Sequence, residues 1–188
     1  MKQVQQFRLT SVAPLLMHNG QLSDPLNPWS QAIKKITAKR KKTLADLEEV
    51  GRLEWYGGLY LFGGRPVIPR EAIKATLLRA AKTLKKGPQV KAGIVVMAHA
   101  ILAYDGPTAP DELWQDKRFV HRTTKALAGK RVVRTRPIFE VWETEIGIAF
   151  NDEVFNPAEV EELVILAGSA IGLLEERPEC GRFTSCKL

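Results

Sequence analysis

Apolar residues recur along the chain in two rhythms, every second residue and every third to fourth, and the switches between them lay out most of the fold. Phe7 and Leu9 alternate with polar neighbours across residues 4–12, which predicts a first strand ending at Pro14. Residues 16–28 are rich in Asn, Gly, Ser, Asp and Pro and predict a loop. A basic helix is expected over 29–42 and a second over 43–53, with Thr43 as its cap. After two Gly-Gly pairs, Pro69 leads into a helix over 70–86. Its core stripe is Ile73, Leu77, Ala80, Ala81 and Leu84, and Gly87-Pro88 stops it. Residues 90–104 are apolar throughout: the β-branched start reads as a buried strand, the Ala-rich middle equally as helix.

The second half reads as a Pro/Gly/Asp loop over 105–116, then strand and turn over 118–136 with Ala128-Gly129 at the bend. Ile138, Trp142, Ile146, Ile148 and Phe150 share one parity, the mark of a half-buried strand. Asn156, Pro157 and Glu159 form a capping box with proline in the first turn, opening a last helix with the stripe Val160, Leu163, Val164, Ala167 and Ile171. A Gly-punctuated tail ends in a short strand. This order predicts an α+β chain: one domain over 1–188 with a ferredoxin-like β-α-β-β-α-β core and a helical and loop insertion over 14–64. A sheet of that layout can offer one face to single-stranded nucleic acid.

Charge sharpens the picture. The net charge is +7, and the excess is packed into blocks. Lys34, Lys35, Lys39, Arg40, Lys41 and Lys42 run without an acid; residues 65–91 carry Arg70, Lys74, Arg79 and further lysines against Glu71 alone; residues 117–136 carry Arg122, Lys125, Arg134 and Arg136 with none. Such a partition is the footprint expected for a phosphate backbone if the blocks meet on one face, and a set of solvated helix faces if they do not. Cys180 and Cys186 lack metal-ligand spacing, and no phosphate loop, dinucleotide fingerprint or HExxH occurs, so neither metal nor cofactor is expected. The polar start MKQVQQFRL and the lack of any membrane-length apolar run make a cytoplasmic location the expectation.

Three stretches carry a resemblance to a known family. Residues 9–20 (LTSVAPLLMHNG), 66–79 (PVIPREAIKATLLR) and 168–183 (GSAIGLLEERPECGRF) resemble the opening strand and turn, the first-helix entry and the Gly-rich C-terminal loop of the RAMP superfamily of CRISPR-associated proteins, in particular the backbone subunits along guide RNA. The chain departs from that pattern at Arg70-Glu71-Ala72, at Ala75, and at Glu175, Glu176 and Glu179 inside the loop, and it is short for a backbone subunit. A stand-alone relative carried by a phage or mobile element fits that shortness.

The resemblance implies that Lys74 and Arg79 lie near bound RNA and that Arg177, Gly181 and Arg182 approach its backbone. Contacts of this kind position a strand without reading its bases. It also implies that an Asp in the region of Asp24 supports cleavage of target RNA, by orienting a metal-bound water or taking a proton; Asp before Pro is also a common turn starter, and His18, the other catalytic candidate, is more often a loop histidine than a base. Trp29, Trp55, Tyr56, Tyr60 and Phe62 either stack on bases or pack the insertion onto the domain; His99 and Trp142 read as core. The expected function is binding of single-stranded RNA or DNA through Lys34, Lys35, Lys39, Arg40, Lys74, Arg79, Arg122, Lys125, Arg134, Arg136, Arg177 and Arg182, with self-association or other effector subunits as partners. The rivals are a metal-dependent endoribonuclease using Asp24 and a phage interaction module that mimics a CRISPR subunit.

Overall fold

The structure, a computed structural model, describes residues 2–127 and 129–188. In chain order its elements are β1 (Lys2–Ser11), β2 (Leu15–Leu16), α1 (Pro28–Thr37), α2 (Leu44–Gly58), β3 (Leu61–Phe62), β4 (Arg65–Ile68), α3 (Arg70–Thr83), α4 (Gly87–Gly93), β5 (Ile94–Val96), β6 (Ala100–Ile101), α5 (Pro110–Gln115), β7 (Val120–Leu127), β8 (Lys130–Phe139), β9 (Glu143–Asn151), α6 (Pro157–Leu166) and β10 (Phe183–Lys187). It is a mixed α+β chain with antiparallel sheets.

The largest sheet has the strand order β10-β1-β9-β5, antiparallel throughout. Because side chains alternate across a strand, Gln5, Phe7 and Leu9 of β1 share a face with Thr144, Ile146, Ile148 and Phe150 of β9, and all are buried. α3 and α6 cover that face with Ile73, Leu77, Ala80, Ala81, Val160, Leu163 and Val164. The opposite face is open to solvent. Arg8 there pairs with Glu145 at 3.0 Å, and no aromatic ring stands among the β1, β5 and β9 residues that line it.

A second layer hangs on the far end of β1. β7 and β8 form a long hairpin, β2 pairs with the end of β8, and α2 packs along β8. Trp55 of α2 is fully buried and its Nε1 donates to Phe119 O at 2.8 Å; Trp142 is buried too and its Nε1 donates to Ala13 O at 3.0 Å.

Several expectations are corrected. The basic helix ends at Thr37, so Lys39 to Lys42 lie on the exposed connection to α2, whose N-terminus is fixed by a reciprocal box between Thr43 and Asp46. Residues 105–116 contain a helix, α5, where a loop was expected: Pro110 opens it and Leu113 is buried. The apolar run after Gly87 resolves into α4, β5 and β6. Leu84, expected in the core stripe, is 47% exposed because α3 has already ended before it. At the hairpin bend, Ala128 lies outside the described residues, and Gly129 takes φ +77°, a left-handed conformation glycine adopts freely. Among the described residues, no helix is long and apolar enough to cross a membrane.

Candidate nucleic-acid interface

The C-terminal loop between α6 and β10 is wound tightly and held from three sides. Gly172 and Gly181 adopt positive φ, and so do the non-glycine residues Leu174 (φ 59°) and Glu176 (φ 54°). Left-handed non-glycine residues cost about 1–3 kcal/mol each and persist where the surroundings over-determine them. Those surroundings are visible. Gly181 N donates to Pro14 O at 2.7 Å, Glu175 N to Leu16 O at 3.1 Å, and Thr76 Oγ1 of α3 to Gly172 O at 3.0 Å. A Cβ on Gly181 would fall 2.0 Å from Leu173 O, so the loop can close only on glycine.

This packing brings charges together from distant parts of the chain. Glu176 accepts from Lys125 at 2.7 Å and from Arg136 at 2.6 Å, clasping the hairpin to the loop. Arg136 is almost enclosed, its side chain 11% exposed, and its Nε has no partner. Arg134 pairs with Glu54 of α2, whose other oxygen accepts from Thr135 N at 3.1 Å. Glu54 thereby caps the edge of β8 beyond the point where β2 stops pairing. His18 sits among these groups, half-buried, with its carbonyl accepting from Tyr60 OH at 3.2 Å. Burial, and then the Arg136 charge, hold its imidazole below the ordinary value, against a smaller opposing pull from Glu175. The imidazole is thus neutral at neutral pH.

Arg177 completes the cluster. Burial lowers its pKa first and the neighbouring charge of Arg79 second, with Glu175 acting the other way. Neither Arg79 nor Arg177 has an ion pair among the described residues, whereas Arg134, Arg136 and Lys125 all do.

The chain matches no protein-family model and no curated protein. What the site can do therefore rests on its own chemistry. Five basic or titratable groups, His18, Lys125, Arg134, Arg136 and Arg177, pair with or feel three carboxylates, Glu54, Glu175 and Glu176, and Arg79 lies within electrostatic reach of Arg177. Arg79 and Arg177, without ion pairs among the described residues, are the guanidiniums left to receive an anion.

The other expected residues fall elsewhere. Lys34, Lys35 and Arg40 are exposed on α1 and the connection after it, and Lys39 is taken by Asp46 at 2.5 Å. Arg122 is exposed on the opposite face of the hairpin from Arg134 and Arg136, across the strand from Thr135. Arg182 is exposed, and its carbonyl accepts from Val12 N and Ala13 N. Lys74 points inward: its ammonium donates to Val90 O and Ile94 O at the end of α4, so it is spent on the chain's own backbone. The three charge blocks therefore do not fuse into one face. Lys125 and Arg136 of the third block meet the loop at Glu176, Arg134 is held by Glu54, Arg79 of the second block lies within electrostatic reach of Arg177, and the first block stays apart.

Asp24 is exposed, and its carboxylate accepts from Leu26 N at 2.9 Å, the geometry of a turn starter. No group of His, Cys, Asp and Glu among the described residues is placed to hold a metal. His99 is not in the core; it is 33% exposed, accepts from Arg70 N at 3.2 Å and tilts against Phe62. Trp29 stacks on Tyr56 at 5.8 Å and Trp55 packs edge-on against the same ring, so these aromatics join the α1–α2 pair to the rest of the structure.

Sequence reasoning missed the carboxylates. Glu175 and Glu176 stood out only as interruptions of a Gly-rich loop. Glu54 had a usable signal: Gly51, Glu54, Trp55 and Gly58 lie on one helical stripe, which turns an acid toward the buried side.

Proposed function

We propose that the chain binds single-stranded nucleic acid, RNA in the first instance, by its phosphate backbone, at the junction of the C-terminal loop, the β7–β8 hairpin and the turn after β1. The observation that carries this reading is that Arg79 and Arg177, within electrostatic reach of one another, make no ion pair among the described residues. Two like charges that feel each other raise each other's cost in the free protein, and a phosphate bound by both would relieve it. Arg136, whose Nε is buried without a partner and whose Nη1 is held by Glu176, adds a third donor once a phosphate displaces that carboxylate. The bound phosphates compete with Glu175 and Glu176, which keeps the footprint narrower than the charge blocks alone suggest.

The wider assignment is consistent with this site. The sheet order β10-β1-β9-β5, with α3 and α6 on one face, supports reading β1-α3-β5-β9-α6-β10 as a ferredoxin-like core in one domain, with residues 14–64 as an insertion. The tightly wound loop supports the resemblance to the RAMP superfamily, and with it a role as a CRISPR-effector-type subunit working beside copies of itself or other subunits in the cytoplasm.

The test is fluorescence anisotropy with labelled single-stranded RNA, single-stranded DNA and duplex. Single strands should bind more tightly than duplex, and Arg79→Ala combined with Arg177→Ala should weaken binding at least about tenfold, since each charge-assisted contact contributes roughly 1.5–3 kcal/mol. Unchanged affinity in that double variant rejects the site. Tight binding to a protein partner without strand affinity would favour the interaction-module reading.

One observation favours a second reading, an endoribonuclease. His18, half-buried, with its pKa lowered by burial and then by the Arg136 charge, is suited to take the proton of a ribose 2′-hydroxyl while a guanidinium released from its carboxylate holds the phosphate. Cleavage of RNA but not of its 2′-deoxy analogue, lost in His18→Ala, would establish it. Chelator-sensitive cleavage lost in Asp24→Ala would instead establish the metal-dependent form.

A further inference from the structure

The face of the hairpin turned away from Arg134 and Arg136 encloses a second site. A groove of about 660 Å3 runs between α2 and β7, lined among others by Glu48, Gly51, Trp114, Lys117, Arg122 and Thr135. That volume is in the usual range for a small-ligand site, about 300–1,000 Å3.

Its floor holds an unexplained polar group. Thr135 is 2% exposed, yet its Oγ1 has no hydrogen-bond partner. Buried hydroxyls are normally paired, so an orphan calls for a cause. Facing it, α2 carries a glycine in mid-helix, where glycine is unfavourable. A Cβ at Gly51 would come within 2.9 Å of the Thr135 hydroxyl, so any larger residue would crowd the floor of the groove.

The walls have a mixed chemistry. Trp114 is half-buried, and the Lys117 ammonium rests 4.9 Å from the centre of its ring, with no carboxylate partner among the described residues. Arg122 is exposed and unpaired among the described residues. Of the two neighbouring acids, Glu49 is tied to Arg52 by two bonds of 2.7 Å, while Glu48 is exposed and makes no ion pair among the described residues. A phosphate-binding patch alone has no use for the ring or the carboxylate, and an acidic peptide would be repelled by Glu48.

We propose that this groove takes one unstacked nucleotide. Its base lies on Trp114, its amino and imino N–H groups donate to Glu48, and its phosphate is met by Lys117, which swings off the ring, and by Arg122. A carboxylate accepts two parallel N–H bonds from the Watson–Crick edge of guanine and at most one from the other bases, so guanine is the preferred base. The inference deepens the strand-binding reading and rests on it for its natural ligand, while its test does not.

The test is a titration of the full chain, isotope-labelled, with GMP, AMP, CMP, UMP and ribose 5-phosphate, followed by NMR. GMP should shift the Trp114 indole and the Gly51 and Thr135 amides at the lowest concentration, and ribose 5-phosphate, which keeps only the phosphate contacts, should need at least about tenfold more to do so. Glu48→Gln changes an exposed residue and should weaken GMP about tenfold while abolishing the preference. Trp114→Phe, which keeps the packing against Trp55, should weaken all four nucleotides. The proposal is overturned if the groove resonances do not move, if ribose 5-phosphate moves them equally, or if Glu48→Gln binds GMP as the parent does. GMP binding without strand binding would sink the strand reading alone. Strand binding that depends on Arg79 and Arg177, with the groove silent to GMP, would sink this one alone.

Discussion

Replacing Glu54 by alanine removes the carboxylate that accepts from Arg134 and from the Thr135 backbone N–H at 3.1 Å. Two costs arise at different depths. Thr135 is 2% exposed, so its orphaned N–H stays dry and costs about 1–3 kcal/mol. The Arg134 side chain is 34% exposed, so the released guanidinium can turn to water. Its cost is nearer about 1 kcal/mol than the roughly 3–5 kcal/mol of a fully buried ion that loses its partner. Together they come to about 2–4 kcal/mol, which in a chain of 188 residues lowers Tm by roughly 4–16 °C. Thermal melts followed by circular dichroism at neutral pH would read this directly. Glu54→Gln keeps an acceptor for Thr135 N and should lose about half as much. A Glu54→Ala melt within about 2 °C of the parent, less than roughly 1 kcal/mol, would refute the view that this carboxylate pins the hairpin to α2.

His18 gives a pH prediction with a definite sign. Its imidazole is held below the ordinary 6.5 by burial and by Arg136, so the unfolded chain binds its proton more readily than the folded one. The stability contributed by neutral His18 is full above pH 6.5 and is lost as the pH falls below it; melts of His18→Gln across that window should show a shallower acid-side decline than the parent. Lys74→Met should lower Tm, because Val90 O and Ile94 O lose their donor, while the salt dependence of strand binding stays as it was; a shallower dependence would mean that Lys74 meets phosphate after all. Gly181→Ala places a Cβ 2.0 Å from Leu173 O at φ +74° and should both destabilise the chain by more than the roughly 1–3 kcal/mol of the backbone strain alone and weaken strand binding. Lost stability with intact affinity would separate the loop from the interface.

Elements whose signals are local were legible in the sequence. The last helix is an example: Asn156 and Glu159 make the reciprocal box expected of them, with Pro157 in the first turn. The parity of Ile146, Ile148 and Phe150 likewise gives the buried face of β9. α5 was hidden because its proline and acids serve equally to open a helix and to build a loop. The stretch after Gly87 was ambiguous because burial on every side erases periodicity, and it divides into a short helix and two short strands. The site was half legible for a different reason. Cations show in a sequence, but their partners do not: Arg134 finds Glu54 across 80 positions and Arg136 finds Glu176 across 40. Lys74 shows the same limit on a single side chain, since its long stem lets the ammonium reach inward carbonyls from a helix face that reads as solvated.

The most direct test of phosphate capture at the loop is the salt dependence of single-stranded RNA affinity, for the parent and for the Arg79→Ala, Arg177→Ala double variant. Each phosphate contact on a single strand contributes about −0.7 to the slope of log affinity against log salt. With Arg79, Arg177 and Arg136 engaged, the parent slope should be about −2 or steeper, and the double variant should be shallower by about 1.4. A parent slope near zero, or identical slopes for the two proteins, would contradict the account.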